Sequence, residues 1–277
     1  MISMESMCKQ VIKRVIPKWA REAINRYRSA PKIVQNWHIF AMRQAVRPWW
    51  NLNCWVTLQT GSRFYLANDP VDDWILEHVS RSLVEVYFPE LLKQFPKDFL
   101  FLEVGAHHGF VTVEILRRFP KARIIAVEPN PIAVKFLKRN LNANGFLDRV
   151  EIVEAGIGAG DQSGFLKFST DGSWGDTIEK SEPYSLGLRV PLLKVDSILK
   201  GRIPDVVKSN AEGAEYELIP QLLSLGIKPK LIILMPHGSR GSIAKINALL
   251  KREGYSIFDL GTGDSESPHW HCTRNQL

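Results

Sequence analysis

Long apolar runs are missing from this sequence. The most continuous, such as Leu231–Met235, fall far short of the roughly 20 residues that a bilayer-crossing helix needs. Lys9, Lys13 and Arg14 interrupt anything resembling a signal-peptide core. Cysteine is also scarce. Cys8, Cys54 and Cys272 stand far apart without a C-x-x-C pair, which argues against a zinc site or a disulfide framework and for free thiols in a reducing compartment. The expectation is a cytoplasmic protein with no metal. Internal repeats and low-complexity tracts are absent as well.

Charge of one sign is lacking over most of the chain. Residues 1–50 hold ten Lys/Arg against Glu5 and Glu22, a net of +8, whereas the remaining residues together carry −1. The basic character therefore belongs to the N-terminal segment. Within it, apolar residues recur at steps of three and four from Met4 to Tyr27, predicting an amphipathic helix over 4–28 that Pro17 kinks or splits. Its basic face suits peripheral contact with an anionic membrane at the inner face. A helix packed on its own protein or on a partner fits the same pattern. Trp37, Trp49, Trp50 and Trp55 interleave with Arg43 and Arg47, but no nucleic-acid module is recognisable and no nucleic acid is expected.

Residues 54–67 alternate apolar and polar side chains around Thr60-Gly61-Ser62, predicting a hairpin. Residues 70–95 read as helical with a break at Pro89. The domain reading is a basic helical region with its hairpin over 1–95, followed by a ligand-binding domain over 96–277. In the latter, strands are expected at 99–104, 123–128, 150–154, 204–209, 230–235, 255–259 and 268–273. Helices are expected at 110–119, 130–144, 212–225 and 240–253. Gly145, Gly226 and Gly254 sit where helix ends favour a left-handed residue. Alternation of this kind, with apolar strands, predicts an α/β doubly wound, Rossmann-like parallel sheet covered on both faces. Residues 156–195 break the rhythm: Gly164–Ser169 and Leu188–Val195 read as extra strands around a polar loop, 170–185. In that loop Trp174 and Tyr184 could close over a substrate, or pack as ordinary surface residues.

The most informative stretch is 99–130. An apolar strand ends in Glu103-Val104-Gly105-Ala106-His107-His108-Gly109, a helix follows, and a second apolar strand ends in Glu128. Glycines let main chain approach a ligand, and a carboxylate at the second strand tip can accept from both hydroxyls of a ribose. A dinucleotide fingerprint would have a third glycine; this loop suits S-adenosylmethionine better. Glu103 is placed to reach the ligand's amino group. A second cluster, Lys208-Ser209-Asn210-Ala211-Glu212-Gly213-Ala214-Glu215, follows another apolar strand. Lys208 and Glu212 are candidates for positioning an acceptor or assisting its deprotonation; an ion pair between them that only shapes the loop is the plainer alternative.

VGAHHGF, VEPN and KSNAEGAE, in that order and spacing, make the chain similar to the FkbM-type family of class I S-adenosylmethionine-dependent methyltransferases, whose pattern is roughly D-x-G-A-N-x-G-Y, E-P-N and K-x-D-x-E-G-x-E. The resemblance covers about residues 54–240. It implies a seven-stranded sheet with a reversed last strand, S-adenosyl-L-methionine as cofactor, and O-methylation, often of a sugar hydroxyl on a natural product, glycolipid or polysaccharide. It also implies that Gly105, Ala106 and Gly109 form the cofactor turn and that Glu128 and Asn130 lie on the ribose side. Lys208, Glu212 and Glu215 follow the fourth-strand motif, with Asp196 matching an acid before it. Four departures stand out. His107 replaces asparagine, Phe110 replaces tyrosine, and Asn210 replaces an aspartate near the sulfonium. Leu234-Met235-Pro236-His237 lacks the fifth-strand glutamate. His107, His108 or His237 could supply a base instead. The residues thus read as a methyltransferase acting on a sugar, glycolipid or related small molecule. The alternatives are a catalytically impaired, methyltransferase-like binding module and, less favoured, a nicotinamide oxidoreductase.

Overall fold

The computed structural model describes residues 32, 34–46, 53–67, 90–168, 176–179 and 187–274. The expected helix over 4–28, most of that over 70–95, and Trp174 and Tyr184 lie outside them. The chain forms two compact units, Met1–Asn68 and Asp69–Leu277. Among the described residues no helix is long and apolar enough to cross a membrane.

In the first unit, helix α1 (Trp37–Val46) precedes the expected hairpin of β1 (Cys54–Thr57) and β2 (Arg63–Leu66). Strand periodicity sorts its side chains. Val56, Phe64 and Leu66 are buried, while Trp55 pairs with Tyr65, their rings 5.2 Å apart. The side chain of Asn36 bridges to β1, donating to Trp55 O at 2.9 Å and accepting from Thr57 N–H at 2.8 Å.

The second unit is a seven-stranded sheet. Its parallel strands are β3 (Leu100–Val104), β4 (Arg123–Val127), β5 (Val150–Val153), β10 (Val206–Ser209) and β11 (Leu231–Leu234). Two further strands, β12 (Tyr255–Asp259) and β13 (Trp270–Arg274), complete the order β12-β13-β11-β10-β3-β4-β5. The last strand, β13, runs antiparallel to both neighbours, as the resemblance implied. Every residue of β10 and β11 is buried, and continuous apolar strands of this kind exist because helices cover both sheet faces. Those helices are α2 (Phe110–Arg118), α3 (Pro131–Ala143), α5 (Glu215–Ser224) and α6 (Ile243–Arg252), with short α4 (Val195–Leu199) before β10.

The chain lays down β3, β4 and β5 outward, then returns to place β10 on the other side of β3. Ligands bind at such a reversal, beyond the carboxyl ends of the strands. The irregular stretch before α4 folds as a second sheet of β6 (Gly156–Ile157), β7 (Gln162–Lys167), β8 (Thr177–Glu179) and β9 (Leu188–Leu193), in the order β6-β9-β7-β8. The two longer strands match the expectation; β6 and β8 are too short to show a period.

Gly145, Gly226 and Gly254 follow α3, α5 and α6 in the left-handed region, as their positions predicted. One helix differs from its expected bounds. Glu212 and Gly213 have φ of 47° and 108°, outside the helical region, so α5 starts at Glu215 rather than at 212.

Two glycines separate conformational need from steric need. At Gly145 (φ 70°) a Cβ would meet nothing within 4 Å, whereas at Gly105 (φ 78°) it would lie 2.2 Å from the main-chain oxygen of Asn210. Gly145→Ala is expected to cost about 1 kcal/mol, the left-handed penalty alone. Gly105→Ala should cost roughly 3 kcal/mol or more, because main chain must also move. Urea unfolding midpoints of the two variants check this.

Candidate functional site

The loop after β3 is held from three directions. Gly105 and Ala106 both donate their N–H to Val127 O, at 3.0 and 3.2 Å, and Gly109 N–H closes onto Ala106 O at 2.9 Å. Lys208, from the neighbouring strand, donates to Gly105 O at 2.9 Å and reaches Glu103 Oε1 at 3.4 Å. Glu103 also accepts from Thr112 Oγ1 at 2.7 Å. Burial pushes the Glu103 carboxyl up, opposed by the Lys208 charge and by hydrogen bonds from Thr112 and Lys208. Lys208 therefore pairs with Glu103; of the partners weighed for it in the sequence, Glu212 binds elsewhere.

Glu128 ends β4 with its carboxylate fixed by main chain. His107 N–H donates to Oε2 at 2.8 Å and Asn130 N–H to Oε1 at 2.9 Å. Burial raises its pKa to about 7 in spite of those two N–H bonds. Asn130 Oδ1 caps α3, accepting from Ile132 N–H at 2.8 Å, and its Nδ2 donates to Asp176 at 2.8 Å. His107 adopts φ 50° and stacks on His108, ring centroids 3.9 Å apart. His108 is buried against Phe136 at 4.7 Å.

The third cluster lies past the tip of β10. Glu215 is fully buried at the start of α5 and gathers three donors: Gly213 N–H at 3.0 Å, His237 N–H at 2.7 Å and His237 Nδ1 at 2.9 Å. The other ring nitrogen, Nε2, meets Glu212 Oε1 at 3.2 Å. Burial alone would push His237 down, but the hydrogen bonds and charges of Glu212 and Glu215 outweigh it and raise the imidazole to about 9. With a carboxylate on each nitrogen, the ring is a charged double donor at neutral pH rather than a base.

These groups surround one cavity of about 830 Å³. Glu103, Gly105, Ala106, His107, Glu128, Lys208, Asn210, Glu212 and His237 all line it. Gly109 and Asn130 do not. At Gly109 a Cβ would lie 2.5 Å from Leu137 Cδ1, so this glycine admits α3, and Asn130 acts on the cavity through Glu128. Further lining comes from Ile157, Asp176 and Ile178 of the inserted sheet region, from Tyr216, and from Ser267 and His269 before β13. Sequence reasoning missed these. No local pattern distinguishes them, and only the return of the chain brings them to the cavity. Among the described residues there is no group of His, Cys, Asp and Glu able to hold a metal ion.

The model of the methyltransferase FkbM domain matches residues 103–257. Among curated proteins, methyltransferase sdnD of Sordaria araneosa is 23% identical over 200 residues, covering 58% of this chain and 75% of that protein. Methyltransferase 1 of Beauveria bassiana is 23% identical over 187 residues, covering 59% and 74%. A solved METTL16 MTase domain aligns over 96% of this chain and 95% of its own at 15% identity and a TM-score of 0.48.

Lys208→Met would leave Glu103 buried without its counter-charge. A loss of about 3–5 kcal/mol is expected in urea unfolding. Adding Glu103→Gln should return part of it, so that the double variant loses less than the two single losses combined.

Proposed function

The chain belongs to the FkbM methyltransferase family, with S-adenosyl-L-methionine as methyl donor, and from that premise we propose that it O-methylates a hydroxyl of a sugar, glycolipid or related small molecule. The observation that carries the reading is Glu128. Glu128 lines the cavity, and each of its two oxygens holds one main-chain N–H and is able to accept another donor. A ribose presents two such donors. Gly105 lines the same cavity and brings bare main chain to it.

When bound, the cofactor supplies a methyl group on a positively charged sulfur. In this proposal Glu128 holds the ribose, with Gly105, Ala106 and His107 alongside. Gly109 and Asn130 support the turn and the carboxylate from behind. Asn210 borders the cavity at the tip of β10. Glu103 and Lys208 fix the loop. An attacking hydroxyl must also lose its proton. His237 already carries its full complement and Lys208 is spent on Gly105 O and Glu103, so Glu212 is the residue of this set left to accept that proton. The +8 charge of residues 1–50 supports a location beside an anionic surface or an acidic acceptor. A second reading, a methyltransferase-like module that binds without turnover, is favoured by the uncharged Asn210 and by the absence of a carboxylate in Met235-Pro236-His237.

Hydroxyl donors favour the ionised form of Glu128, which the free protein reaches only near pH 7. Below that pH the ligand must displace a proton; above it none is displaced. Calorimetric affinity for S-adenosylhomocysteine is therefore expected to rise about three- to tenfold from pH 6 to pH 8. Glu128→Ala should bind at least about tenfold more weakly and lose most of the pH dependence. Unchanged affinity would remove the ribose assignment.

Transfer of labelled methyl from S-adenosylmethionine to a panel of hydroxylated glycans and glycolipids, with amine and thiol acceptors beside them, tests the acceptor class. The expected product is an alkali-stable methyl ether. Label on nitrogen or sulfur alone contradicts O-methylation, and cofactor binding with no transfer to any class selects the module reading.

A further inference from the structure

Two carboxylates share one imidazole. Glu215, His237 and Glu212 form a linear array in which the buried acid holds Nδ1 at 2.9 Å and the second acid meets Nε2 at 3.2 Å. Two acids and one base leave a single negative charge in excess. The array also has a direction. The Glu215 side chain is 0% exposed, whereas that of Glu212 is 23% exposed and borders the cavity. The excess charge is thus presented to the cavity by Glu212.

Main chain is bent to put it there. Glu212 is a non-glycine residue at φ 47°, a conformation that persists only where its surroundings impose it and that gathers at functional sites. Gly213 beside it, at φ 108°, lets the segment carrying Arg240 approach, since a Cβ there would lie 2.8 Å from Arg240 Cβ. Tyr216 Oη donates to His237 O at 3.0 Å, fixing the imidazole's own main chain. The array is therefore a held object.

The cofactor's two forms differ by one charge at one atom: the methyl donor has a cationic sulfur and the product does not. A sulfonium has no N–H or O–H, so a protein stabilises it in a partly dry cavity chiefly by opposite charge. Most other carboxylates of the cavity are committed. Glu103 is enclosed by Thr112 and Lys208, Glu128 is assigned to the ribose, and Asp176 accepts from Asn130. Asn210, at the β10 tip, has no charge. Glu217 also lines the cavity and is the control in the test below.

We propose that Glu212, aimed by His237 and Glu215, is the counter-charge for the cofactor's sulfonium and so governs how the protein discriminates the methyl donor from its demethylated product. The inference rests on the family's cofactor and deepens that reading.

The test is calorimetric titration of the full chain with S-adenosylmethionine and with S-adenosylhomocysteine, without any acceptor. Glu212→Gln is expected to weaken donor binding on the order of tenfold and product binding less than about twofold. Glu212→Asp, which keeps the charge, should retain the wild-type ratio, and Glu217→Gln should leave it unmoved. Thermal unfolding of each variant confirms that the comparison is between folded proteins. Equal weakening of both ligands by Glu212→Gln, no weakening of either, or a shift in ratio on Glu217→Gln instead, overturns the proposal. Failure of the wild-type chain to bind either ligand is a different result, since it strikes the cofactor reading and not the choice of residue.

Discussion

The buried ammonium of Lys208 holds the cavity's first half in shape. It stands opposite Glu103 in the parallel register of β10 and β3, at a level of the sheet where burial excludes water from both. Either charge alone would be costly there by several kcal/mol. Together, with Thr112 on the second carboxylate oxygen, they are matched, and the ammonium has a donor to spare for Gly105 O. That bond fixes the carbonyl of the turn. The N–H groups of Gly105 and Ala106 then face Val127 O, and the following N–H, that of His107, points at Glu128. A lysine in one strand thus sets the position of a carboxylate two strands away, through main chain alone.

Left-handed main chain occurs twice in the lining of the cavity, at His107 and at Glu212. Asparagine and histidine are among the residues that enter this region most readily. The asparagine-to-histidine departure from the family pattern at 107 therefore preserves the bend while changing the side chain. What matters for Glu128 is the direction of the N–H, which either residue supplies. Glutamate has no such leaning, so at 212 the bend must be imposed by the contacts of Gly213, His237 and Glu215.

Much of the second unit was legible because its physics is local. Apolar strands buried on both faces, Asn130-Pro131 opening a helix, and left-handed glycines closing three helices are properties of short windows, and the strands fall within a few residues of expectation. The glycine turn after β3 and the acid at the β4 tip were legible for the same reason. Pairings were not. Lys208 and Glu212 are close in sequence, and nothing local says that one turns to Glu103 while the other turns to His237. The helix expected from 212 begins at Glu215 because tertiary contacts overrode its first turn. The inserted sheet hides two strands of only a few residues, and Asp176, Ser267 and His269 reach the cavity by long returns of the chain.

Glu128 and Glu215 solve one electrostatic problem in opposite ways. Glu128 is an acid kept in a dry place by neutral donors, two N–H dipoles that do not fully offset burial, so its charge is easily surrendered to a proton. Glu215 is an acid kept in a dry place by a full cation as well as by N–H groups, and the cation is in turn shared with Glu212. A carboxylate whose ionisation is incomplete near neutrality suits a neutral partner with hydroxyls, since binding such a partner completes the ionisation. A carboxylate locked into a charged array suits a partner that brings charge of its own, because its countercharge is present before binding. The cavity lining therefore includes one carboxylate suited to neutral donors and one set in a charged array, and the proposed ligand, with a diol and a cation, meets both requirements.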